Sequence, residues 1–335
     1  MNGTEVQPRD GYDIELYGIS NGSFYGIHIP AIVCIVTSFT CAVATLVLSF
    51  KSNSYRTFFT SWSKGNRFVV YLAICDGLFN IAHFTDHMHI VIARSHVYPR
   101  GLCEFYAFTL AVFITSQNLL VNIVAINAFL LVRSDKNIYF GTTDWRLLLW
   151  IFGAPFVGAI IAAGLGTFGP NGTFCYFDKV KGRITQIWFT TVPILVIFVV
   201  NAVLYFLTWL KIHRQTSNIN KTSGKMSTTR TTSIRSAQAM SLFVVAFFIQ
   251  WTAMGVFGLW GLFVAEVPQP IHHFVVILSN TGGTLNLVVF LIIRRRRLGI
   301  WKSNTRTSSL ATKNNADKSK AMTEENDKAA NDTPF

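Results

Sequence analysis

The sequence predicts an all-α membrane protein built as a bundle of seven transmembrane helices. Two observations predict it: seven long apolar stretches separated by polar segments, and a composition of 51% hydrophobic residues with a mean hydropathy of +0.39, too apolar for an ordinary soluble domain. A helix of about 20 apolar residues crosses a hydrocarbon layer of roughly 30 Å and satisfies its own backbone hydrogen bonds there. A soluble helical protein would show amphipathic periodicity, whereas residues 193–210 are apolar on nearly every side.

The seven predicted spans leave little of the 335 residues for a second folded domain. A polar, acidic extracellular segment, residues 1–25, precedes the helical domain of residues 26–300, and a polar cytoplasmic tail of residues 301–335 follows it. The tail has too few apolar residues to bury a core, so we expect it to be disordered. The spans are predicted at residues 26–50, 68–93, 103–132, 146–168, 186–210, 238–264 and 271–293.

The distribution of lysine and arginine predicts how the chain is oriented in the membrane. Most of the 29 basic residues lie in alternate connections and in the segment after the last span. Because basic segments stay in the cytoplasm, we expect the amino terminus outside the plasma membrane and the carboxyl terminus inside. The net charge of +13 then reflects contact of these segments with anionic lipids of the bilayer, and it gives no reason to expect nucleic-acid binding.

Two cysteines and three of the glycosylation sequons fall on the predicted outer side. Cys103 opens the third span, and Cys175 lies between the fourth and fifth spans. Both face an oxidising compartment, so we expect a disulfide between them. The Asn-x-Ser/Thr sequons on this side predict glycosylation at Asn2, Asn21 and Asn171.

Charged and polar side chains within the spans are candidates for functional residues. A charged side chain at bilayer depth costs about 2.5–3.5 kcal/mol on insertion scales, so Asp76 in the second span is expected to face the bundle interior and a partner. At the outer end of the same span, the spacing of His83, Asp86 and His87 brings them onto one helical face.

Further histidines of the outer half, His28 and the His272-His273 pair, are expected to approach these side chains. Imidazole titrates near pH about 6.5, so a converged cluster would sense external acidity or bind zinc. The alternative is that these are ordinary interfacial histidines, and no metal site is assigned.

Several motifs, in the order of the spans, resemble those of the G-protein-coupled receptor superfamily in a divergent rhodopsin-like form. Leu72–Asp76 resembles the Leu-Ala-x-x-Asp of the second span, and Phe247–Thr252 resembles the Phe-x-x-Cys-Trp-x-Pro of the sixth. Asn286–Phe290 resembles the Asn-Pro-x-x-Tyr of the seventh span, and Arg294–Trp301 resembles the short amphipathic eighth helix that follows it. The resemblance also includes residues of the third, fourth and fifth spans: Cys103, Trp150, Pro155 and Pro193.

The chain also departs from this family pattern. Asn127-Ala128-Phe129 stands where the family has Asp-Arg-Tyr, so the arginine that meets the G protein in relatives is absent. Ala253 stands where a proline is expected. The many phenylalanines and the stretch Leu285–Phe290 also look somewhat like the cyclic-AMP-receptor-like receptors. Coupling is therefore left open, and a non-coupling scavenger or modulatory receptor is an alternative.

The resemblance implies a receptor that signals from an unknown extracellular ligand to a heterotrimeric G protein or an arrestin-type partner. It implies Trp251 at the floor of the ligand pocket, and Asp76, Asn286 and Phe290 in a relay toward the cytoplasm. At Asp76, beside Asn286, it implies a switch that is sensitive to sodium or to protons; the alternative is a hydrogen-bonded interior carboxylate with a purely structural role. Further candidates for the ligand pocket, with the two carboxylates as counter-ions for a cationic ligand, are Asp86, Glu104, His83 and His87.

Other function classes find less support in the sequence. Residues 271–293 contain no lysine, so a retinal Schiff base is not expected, nor is any other cofactor. No metal-hydrolase, phosphate-loop or nucleophile–base motif occurs, so we do not expect an enzyme. A seven-span channel or transporter is the rival class, and Gly282-Gly283 is the one hint of the broken helix it would need. The final residues, Thr333-Pro334-Phe335, weakly fit the pattern that PDZ domains bind.

Overall fold

The structure, a computed structural model, describes residues 7–222, 228–264 and 267–295, with side chains except in residues 215–222 and 228–232. In this part of the chain six helices are long and apolar enough to cross a membrane, and a bent pair of helices makes a seventh span. The predicted seven-helix membrane bundle is confirmed. The spans are α1 Phe24–Ser52; α2 Lys64–Ala93; α3 Arg100–Ser134; α4 Trp145–Leu148, Leu149–Gly153 and Ala154–Gly164; α5 Arg183–Gln186, Ile187–Thr191 and Val192–Thr222; α6 Thr228–Phe263; and α7 Gln269–Ser279 with Gly282–Arg295.

Most helices extend beyond the predicted apolar spans, because polar residues at their ends continue the helix into the membrane surface. The fourth span is the exception, and its predicted end at residue 168 is wrong. The helix stops at Gly164, and Gly166 adopts a positive φ of 63° that an α-helix does not contain. Phe168 then begins a β-strand instead of ending the helix.

The central helix of the bundle is α3, which packs against α2, α4, α5 and α6. In its most apolar stretch 61% of the residues are buried, against 28% in α1, α4 and α5. The outward faces of these peripheral helices expose apolar side chains such as Val33, Val157 and Val199. Such a surface suits lipid, where exposed valine costs nothing, and it explains why these spans are apolar on nearly every side.

Three spans depart from regular α-helix, at prolines and glycines. In α4 the π-helical turn Leu149–Gly153 ends two residues before Pro155, and in α5 the turn Ile187–Thr191 ends two residues before Pro193. Proline lacks a backbone N–H and crowds the carbonyl of the preceding turn, and a wider turn accommodates both effects. The two segments of α7 meet at an angle of 47°. The break in α7 leaves the Ser279 carbonyl free to accept a hydrogen bond from another helix.

A β-hairpin covers the end of the bundle at which α4 ends and α5 begins. Strand β1, Phe168–Pro170, pairs antiparallel with strand β2, Cys175–Phe177. The predicted Cys103–Cys175 disulfide is present and attaches the hairpin to the start of α3. The hairpin therefore sits over the interior of the bundle at a fixed place.

The described part of the amino-terminal segment folds over this hairpin. The Gly11 N–H donates to the Asp178 carboxylate at 2.8 Å, and the Tyr17 N–H donates to the Gly172 carbonyl at 2.7 Å. A Cβ on Gly11 would overlap the Pro170 carbonyl, so only glycine permits this close approach. Residues 7–23 and the hairpin together form what we call the outer cap, a name taken from the orientation that the sequence predicts.

The chain divides into two compact units, residues 1–289 and residues 290–335. The first unit contains the bundle and the outer cap. Of the second unit the structure describes residues 290–295, which are helical. The predicted eighth helix, apart from Arg294 and Arg295, and the predicted tail of residues 301–335 lie outside the described residues.

Candidate functional site

A narrow cavity lies between the hairpin and the adjoining ends of α5, α6 and α7. It encloses about 330 Å³ including its open mouth. Among the described residues, no aspartate, glutamate, lysine or arginine lines it. Its walls are aromatic, amide and apolar side chains, among them Asn171, Phe174, Tyr176, Met254, His272 and Val276. Such a lining suits a ligand that is bound by shape and by a few hydrogen bonds.

Trp251, expected at the pocket floor, is fully buried one helical turn below the cavity-lining Met254. Its ring contacts Phe79 of α2, with a centroid distance of 6.3 Å and an edge-to-face geometry. Trp251 thus supports the helix that lines the cavity and is not itself part of the lining.

The two carboxylates expected as counter-ions do not reach this cavity. Glu104 is exposed on the outer surface of α3, although its neighbour Cys103 is fully buried. Asp86 is fully buried, and its Oδ2 accepts a hydrogen bond from the Cys175 N–H at 2.9 Å. The hairpin therefore covers Asp86, and its Oδ1 has no hydrogen-bond partner among the described residues.

Three buried imidazoles form a hydrogen-bonded series between α1, α2 and α7. His28 Nδ1 lies 2.8 Å from His87 Nδ1, and His87 Nε2 lies 3.1 Å from His83 Nε2. His83 Nδ1 then lies 2.8 Å from Asn280 Oδ1 in α7. Phe174 of the hairpin packs against the rings of His83 and His87. We call His28, His87 and His83 the histidine chain.

Of the outer histidines that were expected to converge, those of the histidine chain lie together, and His272 and His273 do not join them. His272 lines the cavity between the rings of Tyr17 and Phe257, and His273 faces Gly26. In the histidine chain the nitrogens face one another at hydrogen-bond distance, which leaves no space for a metal ion between them. Over the described residues, no group of three or more His, Cys, Asp or Glu side chains has the arrangement to hold a metal ion.

Deeper in the bundle, Asp76 is surrounded by side-chain amides. Its Oδ1 accepts from Gln117 Nε2 at 2.8 Å, and its Oδ2 accepts from Asn286 Nδ2 at 2.6 Å. Gln250 Nε2 donates to Gln117 Oε1 at 3.2 Å and to the Ser279 carbonyl at the break in α7 at 3.1 Å. We call Asp76, Gln117, Gln250 and Asn286 the amide network. It joins α2, α3, α6 and both segments of α7.

Amide donors and the backbone of α7 lie close to the Asp76 carboxylate. Each carboxylate oxygen accepts one amide N–H, from Gln117 or from Asn286. A Cβ on Gly282 would overlap Asp76 Oδ1 and Gln250 Nε2, so glycine is what allows α7 to approach this closely. Phe290, the third residue of the expected relay, belongs to the second unit.

At the opposite end of α3, Asn127 is fully buried where the family carries a charged residue. Its Oδ1 accepts from the Ile138 N–H at 3.0 Å, and its Nδ2 donates to Asn137 Oδ1 at 3.3 Å and contacts Met240 Sδ at 3.5 Å. Neutral contacts thus connect α3, the following loop and α6 at this position.

Near this end a groove opens between α3 and α5. It encloses about 590 Å³ including open solvent, and its floor is apolar. Its rim carries the exposed cations Arg133, Lys211 and Arg214, none of which has a carboxylate partner within the described residues. The groove can therefore receive an apolar segment that carries negative charge.

The outer cap is held to the bundle partly by ion pairs. Asp10 accepts from Arg100 at 2.8 Å and from Lys181 at 3.4 Å. Burial alone would raise the pKa of the Asp10 carboxyl, but the hydrogen bonds from Arg100, the Tyr12 N–H and Lys181 outweigh it, and the pKa lies below its ordinary value. Burial raises the pKa of the Tyr176 hydroxyl, which bonds Thr190 at 2.8 Å and stays neutral.

The predicted glycosylation sites differ in their surroundings. Asn21 is exposed at the turn before α1. Asn171 is half-buried, its Oδ1 accepts the N–H groups of Thr173 and Phe174, and it lines the cavity. Asn2 lies outside the described residues.

Three residues that organise the site were not among the predicted site residues: Gln117, Gln250 and Asn280. Each is a buried polar side chain in an otherwise apolar span, which is the signal that could have identified it, because an amide in lipid needs a partner.

Comparison with known proteins identifies the family. A family model described as seven-transmembrane receptor (rhodopsin family) matches residues 41–289, and no curated protein sequence matches. Among solved structures, the chain is similar to the crystal structure of squid rhodopsin, with a TM-score of 0.64 and 15% identity over 87% of this chain and 87% of that chain. At this identity the likeness shows the fold alone. The rhodopsin-like resemblance seen in the motifs is confirmed, and the family is one of receptors and not of enzymes. Because the family model covers most of the bundle, this chain belongs to the rhodopsin family of seven-transmembrane receptors.

Proposed function

We propose that this chain is a G-protein-coupled receptor of the plasma membrane that binds a small, uncharged ligand in the cavity beneath the hairpin. One observation carries the proposal: α6 and α7 both line the cavity and, about one turn further in, are joined by the hydrogen bond from Gln250 to the Ser279 carbonyl. A ligand against Met254 and Val276 therefore contacts the two helices whose relative position sets the amide network.

The chemistry of the cavity supports an uncharged ligand. A cationic ligand would need a carboxylate, but Asp86 is covered by the hairpin and Glu104 faces away from the bundle. The polar groups available for orientation are neutral: the amides of Asn171 and Gln186 and the imidazole of His272. The aromatic rings of Phe174 and Tyr176 favour a flat or ring-containing molecule.

Signal transfer would follow from unequal ligand affinity for two arrangements of α6 and α7. A ligand shifts such an equilibrium only by the difference in its binding free energy to the two states. Rotation of α6 would move Gln250 away from Ser279 and Gln117, and Asp76 would exchange its amide partners. We propose Asp76 and Asn286, which are hydrogen-bonded to each other, as the inward relay.

The groove between α3 and α5 supports docking of an intracellular partner at the basic end of the bundle. An amphipathic G-protein segment with acidic residues would place its apolar face against Leu207 and Leu210 and its charges near Arg133 and Lys211. Arrestin-type partners would bind phosphorylated serines and threonines in residues 211–235 and 301–335. A PDZ domain would bind Thr333-Pro334-Phe335. Most of these residues lie outside the part of the chain whose side chains are described.

The proposed orientation places the outer cap outside the cell and the basic groove inside. The disulfide lies in the outer cap, where an oxidising compartment would preserve it, and exposed Asn21 is available to glycosylation on the same side. Epitope tags at the two termini test this: antibody on intact cells should reach the amino-terminal tag alone. Binding to both tags, or to the carboxyl-terminal tag alone, would contradict the orientation.

The cavity is tested by filling it. The substitution Met254→Trp should abolish second-messenger responses to active members of a library of uncharged small molecules, because indole occupies the ligand volume. Val256→Trp introduces the same indole at a residue of α6 that is 46% exposed on the lipid-facing side, and it should leave responses within about twofold of the parent. Equal surface expression of both variants is the control. Retained responses in the Met254 variant would contradict the assigned cavity.

A further inference from the structure

The proton positions in the histidine chain follow from its end in α7. Asn280 Nδ2 donates to the Val276 carbonyl at 2.6 Å, which fixes Oδ1 as the atom that faces His83. An amide oxygen only accepts, so His83 Nδ1 must carry a hydrogen. The nitrogen hydrogens are assigned here from the hydrogen-bond pattern.

The remaining positions follow in turn. A neutral His83 with a hydrogen on Nδ1 has a bare Nε2, so the facing His87 Nε2 must donate. His87 Nδ1 is then bare and accepts from His28 Nδ1. All three hydrogen bonds point toward α7, and His28 is left with a bare Nε2 that is buried and has no partner among the described residues.

This arrangement has room for one more proton, and only at its α1 end. A proton that binds His28 Nε2 breaks none of the three hydrogen bonds. The Nδ1 hydrogen of His28 can then move to His87, and the Nε2 hydrogen of His87 can move to His83. The positive charge is then on His83, and the two hydrogen bonds between histidines have reversed direction. Each transfer crosses a nitrogen–nitrogen distance of 2.8 or 3.1 Å.

A buried carboxyl group, that of Asp86, lies on the same helical face of α2 as His83 and His87. Asp86 accepts one backbone N–H through Oδ2, and its buried Oδ1 has no partner among the described residues. Around the chain, α2 contributes His83, Asp86 and His87, α1 contributes His28, and α7 contributes Asn280 and, nearer the surface, His273 beside Gly26. The hairpin contributes the neutral Phe174 and Cys175. A buried set of one carboxyl and three imidazoles is least costly when its net charge is zero.

We propose that the histidine chain binds a proton from the outer solution at His28 Nε2, with Asp86 as the compensating charge, so that a proton is a second ligand of this receptor. Proton uptake would place charge next to Asn280, which sits at the break in α7 beside the Ser279 carbonyl that Gln250 holds. External acidity would thereby act on the same helix break as the proposed ligand. The outer position of the chain rests on the proposed orientation, but proton binding itself does not.

The primary test is nuclear magnetic resonance of ¹⁵N-histidine-labelled full-length receptor in lipid nanodiscs between pH about 5 and 8. In the neutral form we expect hydrogen on His83 Nδ1, His87 Nε2 and His28 Nδ1. On acidification the chain should take up one proton in a single coupled step that all three rings report. The opposite tautomers, or three independent titrations, would overturn the proposal.

The substitution His28→Asn tests the entry point. The asparagine Nδ2 can replace the Nδ1–H that donates to His87 while the titrating nitrogen is removed. We expect the folded variant to lose the coupled step and the pH dependence of the melting temperature that accompanies it. His89→Asn, the same change on α2 outside the chain, should retain both. Equal titration in His28→Asn and the parent would overturn the proposal.

Should His28→Asn not fold, Asp86→Asn provides an independent measurement. Its oxygen can still accept the Cys175 N–H, but its charge is gone. We expect the midpoint of the coupled step to fall by about one pH unit or more, the usual effect of removing a neighbouring opposite charge. An unchanged midpoint would exclude Asp86 as the compensating charge. None of these measurements needs a ligand or a G protein, so a failed ligand screen would leave them interpretable.

Discussion

Two buried aspartates on the inner face of α2, Asp76 and Asp86, show how differently one residue type can be used. Both oxygens of Asp76 accept side-chain amide N–H groups, so neither oxygen lacks a partner. Asp86 accepts one backbone N–H from the hairpin, and its second oxygen lacks a partner among the described residues. The comparison teaches that burial alone does not mark a binding site. The proposed proton site rests instead on an unused hydrogen-bonding position, because an unpaired buried polar atom calls for an explanation.

The largest effect is expected from Asp76→Ala. It leaves the amides of Gln117 and Asn286 without an acceptor in a water-poor interior, which should lower the free energy of unfolding by about 2–4 kcal/mol. The melting temperature of purified receptor in detergent measures this. Asp76→Asn keeps one acceptor oxygen and should lose less. A variant with the parental melting temperature would show that the amide network does not stabilise the bundle.

A Cβ inserted beside the same carboxylate should have the next largest effect. Gly282→Ala places a methyl group against Asp76 Oδ1 and Gln250 Nε2, and the strain should cost about 1–3 kcal/mol. Gly261→Ala in α6 is the matched control, because its Cβ would meet open space. Equal melting temperatures for the two variants would indicate that α7 does not approach α2 this closely.

Asp86→Ala should cost less than Asp76→Ala, about 1–2 kcal/mol, because only the Cys175 N–H loses its acceptor. The measurement is the difference in melting temperature between the two alanine variants in one detergent. A larger loss at Asp86 would reverse the comparison and would mean that its second oxygen has a partner that the described contacts do not include.

Asp10 sharpens the comparison, because it is a carboxylate at the water boundary. Its pKa lies below the ordinary value of 3.8, so its stabilising contribution is present above that pH and is lost as the pH falls through the lower folded-state pKa. Arg100 and Lys181 are about half exposed, with 54% and 50% of their side chains accessible, so Asp10→Asn should cost no more than about 1 kcal/mol. As the pH is lowered from 5 to 3, the free energy of unfolding should fall less steeply in Asp10→Asn than in the parent. Equal slopes would contradict the assignment.

Hydropathy and motif order predicted the bundle, because lipid imposes a length and an apolar surface on each span. The Cys103–Cys175 bond and the inward position of Asp76 followed from position along the chain. The side that a residue faces was harder to predict. A step of one residue turns a helix by about 100°, so Cys103 is buried while Glu104 is exposed.

The partners of the amides could not be predicted from one sequence. Gln117 and Gln250 lie far apart in the chain, and they meet only because α3 and α6 have one particular rotation about their axes. The outer cap was also not predicted, since strands of three residues carry no readable periodicity. Asn280 was not among the predicted site residues either, yet its side chain ends the histidine chain.

The uncharged contacts of Asn127 have a consequence for how the resting receptor responds to its medium. Where α3 is joined to its surroundings by opposite charges at the water boundary, added salt screens the attraction. Here an amide contacts a backbone N–H, another amide and a thioether, none of which carries a net charge. Basal signalling of this receptor should therefore be nearly constant from low to high salt.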